Sequence, residues 1–137
     1  MSLSKVFDIA GAGMTAQSMR FNVVSSNIAN VDSAVSSNGD PYKGKKVVFT
    51  AIPINKDTPQ VATVRVTAVV EDQSPARMVY DPKHPLADAK GYVTMPNINP
   101  VEEMTDMISS ARSYQTNVEM MNTAKSLLQK TLTIGQQ

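Results

Sequence analysis

The chain has 137 residues, a formal net charge of +1, 42% hydrophobic residues, only 5% aromatics and no Trp or Cys. That length fits one ordinary domain, and the near-zero charge offers no bulk attraction for nucleic acid or an anionic membrane. Without Cys there are no disulfides, thiolate nucleophiles or Cys-ligated metal centres; no run of about 18 apolar residues is present to span a bilayer, and Met1–Val6 lacks the layout of a cleavable secretory signal.

From the start, Leu3, Phe7, Ala10, Met14, Gln17, Phe21, Val24, Ile28 and Val31 recur at alternating spacings of four and three. Such a heptad predicts a helix built to lie along another helix, with Ser2 or Ser4 as its cap. Val6, Ile9, Ala16 and Val23 widen the stripe. Gly11 and Gly13 weaken the helix by up to ~1 kcal/mol each, and their compensation is closer approach of a neighbouring backbone. The pattern runs out across Ser25–Asn30, and Val31–Asp40 is a polar loop, with a turn at Asn38-Gly39-Asp40-Pro41.

The middle of the chain changes character. Lys45–Ile52 and Val61–Val70 read as strands, the second placing Val64, Val66, Ala68 and Val70 on one face and Arg65 and Thr67 on the other. Pro53–Gln60 between them is a loop. Arg77–Tyr80 and Tyr92–Met95 are two shorter strands separated by the Asp81–Gly91 loop. The expectation is a small antiparallel β unit inserted between terminal helices.

The last third holds the second heptad: Met104, Met107, Ala111, Tyr114, Val118, Met121, Lys125, Leu128 and Leu132, with only Lys125 strongly polar. Asn99 suits the N-cap, Pro100 the first helical position, and Glu102 and Glu103 the positive helix end. Gly135 is the natural stop, with Lys130 in the final turns. These bounds predict one helix of roughly 35 residues, about 50 Å long. Met120, Leu127 and Ile134 form a second apolar line on one flank, and Val101 and Ile108 lie on the other. That arc is wider than one partner helix covers, so the surplus must meet the β insertion or other chains, and the small size of the insertion favours other chains. Met104, Met107, Met120 and Met121 suit an interface that repacks against non-identical neighbours.

The fold class is therefore α+β: long N- and C-terminal helices in an antiparallel coiled-coil-like pair, with a small β-rich insertion. Residues 1–33 and 98–137 are expected to form one discontinuous helical unit, and 34–97 the loop and β middle segment. Leu3, Phe7, Ala10, Met14, Phe21, Val24, Ile28, Met104, Met107, Ala111, Tyr114, Val118, Met121, Leu128 and Leu132 are the candidate assembly residues.

Catalytic candidates are poor. His84, the sole histidine, could be drawn as a metal site with Asp81 and Asp88, but a Pro-punctuated surface loop explains it better and no second nitrogen or sulfur ligand accompanies it. Glu102 and Glu103 are adjacent on a helix and point in different directions. Gly11-Ala12-Gly13 has no preceding strand and no third Gly, so it is not a dinucleotide fingerprint. Lys43, Lys45 and Lys46 form a small isolated basic cluster, most simply a solvated strand end. No catalytic, cofactor-binding or metal-ligating set is expected. The heptads alone leave two readings open: a self-assembling structural subunit, or a soluble coiled-coil adaptor or chaperone of a secretion system.

A resemblance separates them. Phe7-Asp8-Ile9-Ala10-Gly11 and Met14-Thr15-Ala16-Gln17, leading into Ser26-Asn27-Ile28-Ala29-Asn30, are similar to the Asn/Ala signature of bacterial flagellar axial proteins, the rod and hook family. Val79-Tyr80-Asp81-Pro82, His84-Pro85, Gly91-Tyr92-Val93, Met95-Pro96-Asn97-Ile98-Asn99, Asn117-Val118-Glu119, Asn122-Thr123-Ala124-Lys125 and Thr131–Gly135 resemble the basal-body rod branch; Pro41-Tyr42-Lys43 and Val47-Val48-Phe49 match more loosely. The resemblance implies a structural subunit exported through the flagellar type III apparatus without a cleaved signal and polymerised into the periplasmic rod. It implies terminal helices in the inner tube, the middle segment outward, and as neighbours further copies, the rod proteins FlgB, FlgF and FlgG, and the basal-body protein FliE.

Overall fold

The computed structural model describes residues 3–34, 41–55 and 61–135. The turn expected at Asn38–Asp40, the Ser2 cap and residues 56–60 of the expected loop lie outside them. Two long helices frame four strands: α1 Leu3–Ala29, β1 Lys45–Pro53, β2 Ala62–Glu71, β3 Arg77–Tyr80, β4 Tyr92–Met95 and α2 Pro100–Ile134.

Local chemistry sets the helix ends. At α2, Asn99 is extended (φ −99°) and its Oδ1 accepts from the Val101 N–H at 3.1 Å. Pro100 follows in the first turn, and the Glu103 N–H bonds back to the Asn99 carbonyl. At the far end Gly135 stays right-handed (φ −77°), its N–H returning to Thr131, so this stop uses none of glycine's left-handed freedom. Helix α1 closes on Asn30, whose N–H reaches the Ser26 and Asn27 carbonyls while its Nδ2 donates to Ser26 O at 2.8 Å. Those side-chain and backbone donors satisfy carbonyls that a helix end otherwise leaves unpaired.

The helices pack antiparallel, with α1 in the middle of the molecule: α2 lies on one face and the β1–β2 ribbon on another. Residues Ala12, Ala16 and Met19 face Thr63–Val66, and Val23 and Val24 face Lys45, Val47 and Phe49. The core of the helix pair is thin and built of small side chains, chiefly Ala10, Ala16, Val24, Ala124 and Ser110, with Asn27 its buried amide, while Val93 of β4 and Ile98 after it are buried as well. Gly13 shows why small residues are required. A Cβ there would stand 2.8 Å from Asn117 Oδ1, so the absence of a side chain at Gly13 makes room for the Asn117 amide against the α1 backbone.

The expected β unit is two separate antiparallel ribbons, β1–β2 and β3–β4. The uniform face expected on β2 is corrected by a bulge: Val48 opposes Ala68 but Phe49 opposes Val66, which leaves Thr67 as the extra residue. Thr67 Oγ1 donates to the Val48 carbonyl and pairs with Thr50 Oγ1 at 2.8 Å. A bulge interrupts the strict period of two. Val64 and Val66 therefore pack toward α1, whereas Ala68 and Val70 are exposed.

The β3–β4 ribbon packs against no other described helix or strand. Tyr80 and Tyr92 meet edge to face across it at 5.3 Å, and Gly91 (φ +81°) turns the chain where a Cβ would stand 2.9 Å from the Tyr80 ring. Asn97 ties its exit to the rest: Oδ1 accepts from Gly44 N–H at 2.8 Å, and Nδ2 donates to the carbonyls of Asp72 and Ser74 at 3.0 Å.

Candidate assembly interface

The line of α2 that touches α1 differs from the most apolar line in the sequence. Ser110 and Ala124 are the buried residues of α2, and Glu103, Met107, Asn117 and Met121 are half-buried along the same stripe. Only Met107 and Met121 belong to both lines. Of the other candidates on α2, Ala111 and Val118 are half-buried, while Met104, Tyr114, Leu128 and Leu132 are exposed, Leu132 at 61%. On α1, Ala10 and Val24 are buried, Leu3, Phe7, Met14 and Ile28 half-buried, and Phe21 exposed. The physical reason is the close approach at Gly13: short side chains fill the seam, and the larger apolar ones are displaced outward. Sequence reasoning missed Ser110, Asn117 and Ala124; the signal was Gly13, which marks where the second helix can come close and seats Asn117 there.

The surplus apolar surface is large. Val101, Ile108, Met120, Leu127 and Ile134 are each at least 45% exposed. Helix α2 has 35 residues against 27 in α1, and every described residue after Ala124 is exposed. Between the helices Gln17, Phe21, Ser110, Ala111 and Tyr114 line an open cleft of about 280 Å³, where Gln17 Oε1 is buried without a partner among the described residues. Along the seam Arg20 bridges Asp106 at 2.7 Å; as a solvent-screened pair it contributes at most about 1 kcal/mol.

The family-signature residues lie at the other end of the pair. Asn27 is 1% exposed. Its Oδ1 accepts from the Lys45 N–H (2.9 Å) and the Tyr42 hydroxyl (3.2 Å), and its Nδ2 donates to the Lys45 carbonyl (2.8 Å) and Glu103 Oε2 (3.1 Å). Ser26 Oγ lies 3.3 Å from the same hydroxyl, Asn30 closes the helix, Ile28 is half-buried and Ala29 exposed. Lys45 Nζ sits 5.7 Å from the centre of the Tyr42 ring.

Burial pushes the Glu103 carboxyl above its ordinary value, with Asp106 and Glu102 adding repulsion and the Asn27 and Lys46 contacts opposing. Nearby, the Lys46 ammonium and the Ser74 N–H hold Asp72 well below the usual carboxylate range, and Asp72 raises Lys46 in return. A carboxyl raised on folding contributes most favourably below its unfolded value near 4.5 and progressively less as pH rises through the raised one. Asp72 acts in the opposite sense, losing its contribution only as pH falls from its ordinary 3.8 through the lowered value. Glu103→Gln keeps an acceptor for Asn27 and removes the buried charge. Urea midpoints are expected to favour the variant over wild type more at pH 7 than at pH 5; an unchanged difference would refute the burial of this charge.

His84, a candidate considered for metal binding, sits in the 81–91 loop with Nδ1 accepting from the Leu86 N–H at 3.1 Å. The side chains of Asp81 and Asp88 accept from the backbone of Lys83, and of Lys90 and Tyr92. Among the described residues no group of three or more His, Cys, Asp or Glu is placed to hold a metal, and no helix is long and apolar enough to cross a membrane.

Comparison with known proteins places this geometry. The family described as "Flagella basal body rod protein" matches residues 7–36, and that described as "Flagellar basal body rod FlgEFG protein C-terminal" matches 89–134: α1 with its signature, and β4 with α2. The flagellar basal-body rod protein FlgC of Escherichia coli O6:H1 is 52% identical over 99% of this chain and 100% of its own length. The FlgC of Salmonella typhimurium is 50% identical over the same shares, and that of Borreliella burgdorferi 38% identical over 99% of both chains. A helix pair with surplus apolar surface, its signature Asn buried at the joint, and matches of this extent lead to one conclusion: the chain belongs to the FlgC family of flagellar basal-body rod proteins.

Proposed function

We propose that the chain is a non-enzymatic structural subunit of the periplasmic rod, assembling through its terminal helices with further copies and with FlgB, FlgF, FlgG and FliE. In that reading the assembled rod transmits motor torque and encloses the channel through which axial proteins leave, and the subunit itself is delivered by the flagellar type III export apparatus. Residues 1–33 and 98–137 form the inner unit and 34–97 the outer one. The observation that carries the reading is the apolar surface of α2, which extends past the end of α1 and covers more of the helix than one partner can bury. The candidate residues Met104, Tyr114, Leu128, Leu132 and Phe21 are those that neighbouring helices would cover.

The test is a strain deleted for this gene and complemented with the wild-type chain or with His84→Ala. The deletion is expected to leave cells non-motile, with basal bodies that lack a rod. Both plasmids are expected to restore motility, because no chemistry is assigned to His84. A chain that behaves as a fixed dimer or tetramer by light scattering and is absent from isolated basal bodies would support the adaptor or chaperone reading instead.

A further inference from the structure

We propose that Asn27 is a three-way positioning residue, setting the register at which the helix pair meets the β1 arm, and that a subunit enters the rod only with this joint closed. The inference rests on the rod reading above and adds to it a mechanism inside the subunit. The carboxamide of Asn27 pairs with both the N–H and the C=O of Lys45, as a neighbouring peptide group would, and so docks the start of β1 on the end of α1. Its second lone pair takes the Tyr42 hydroxyl and its second N–H takes Glu103 Oε2 on the first turns of α2. Every donor and acceptor of the amide is used, and its partners come from segments 15–18 and 76 residues away.

Residue type follows from this geometry. Asp has no donor for Lys45 O and would face the Glu103 carboxylate, Ser offers a single hydroxyl, and Gln is one methylene too long. Elsewhere α1 meets β1 and β2 largely through apolar side chains such as Ala16, Val23, Val24, Val47, Val64 and Val66, whose non-directional contacts do not by themselves fix a register. A fully satisfied buried amide is directional and does, which is how a single buried Asn specifies register between helices.

The experiment uses the full-length chain in the complemented deletion strain and as purified protein, with Asn27→Leu, Asn27→Asp, Glu103→Gln and the double variant Asn27→Asp/Glu103→Gln. Asn27→Leu keeps volume and removes all four hydrogen bonds: the Lys45 amide is expected to lose about tenfold in exchange protection, with amides in mid-α1 unchanged, and motility to be lost. Asn27→Asp is expected to abolish motility. Glu103→Gln alone is expected to be silent, and combining the two to restore swimming in part, because the link re-forms with donor and acceptor exchanged. Protection lost uniformly along the chain, or Asn27→Asp cells as immotile with Glu103→Gln as without it, would reduce Asn27 to a general stability residue and overturn the inference. Motile Asn27→Leu cells would overturn it too while leaving the rod reading intact. Failure of the wild-type chain to complement would strike the rod reading itself.

Discussion

A chain carrying Leu127→Glu and Leu132→Glu is expected to fold as the wild type does and to leave cells non-motile. In the free subunit these side chains are 52% and 61% exposed, on the C-terminal turns of α2, where every described residue after Ala124 is exposed. Substitutions at such positions change stability by roughly ±0.5 kcal/mol, and Glu is as good a helix former as Leu. Inside a rod the same positions are proposed to lie against neighbouring helices. An unpaired carboxylate buried there costs several kcal/mol, and the cost recurs with every copy added. Circular dichroism of the purified variant should overlay the wild type, with a melting point within about 4 °C, while isolated basal bodies should lack it. Normal swimming by this double variant would show that these turns are solvent-facing in the cell and would remove the main support for assembly through α2.

Gly13→Leu is expected to produce the largest loss of stability in the isolated subunit. Gly13 is buried, and even a Cβ meets Asn117 Oδ1 at 2.8 Å and its Cγ at 3.0 Å. A single methyl can be absorbed by turning the Asn117 amide, which gives up its bond to the Ser113 carbonyl but is offset by about 1 kcal/mol of helix propensity. Gly13→Ala should therefore be close to neutral. Leucine adds three further carbons at the closest approach of the two helices and can only push α2 away from Ala10 and Ser110. Overpacking of this kind costs about 1–3 kcal/mol, or roughly 4–12 °C in melting temperature at about 4 °C per kcal/mol for a chain of this size. Thermal denaturation of the two variants side by side measures it. Equal melting points for Gly13→Ala and Gly13→Leu would mean that the helices are not held as closely as described.

Both experiments turn on the difference between an apolar residue in a heptad and an apolar residue in the seam. The periodicity of Met104 to Leu132 was sufficient to place a long helix and to show that it needs company. It was not sufficient to say which stripe the chain's own α1 would take. Closest packing is won by small residues, so the intramolecular contact fell to Ser110, Asn117 and Ala124, two polar residues and one small one, all off the line of large apolar side chains. The larger Met104, Leu128 and Leu132 were left outside, where a further chain can use them. The β2 face was misjudged for a similar reason: alternation assumes an unbroken ladder, and only pairing with β1 revealed the extra residue at Thr67.

What the amino-acid sequence determined by itself is therefore local. The cap at Asn99 with Pro100 behind it, the heptad spacing of both helices and the surplus of apolar helix surface all arise from residues within a few positions of one another, and spacing alone reports them. The joint at Asn27 was decided by the tertiary structure. In the sequence Asn27 stands out only as a member of the Ser26–Asn30 signature, which names no contact for it; its partners Tyr42, Lys45 and Glu103 come from segments that only folding brings together. An amide has four hydrogen-bonding positions and no preference for sequence distance, so its role depends on which backbone and which carboxylate packing delivers to it.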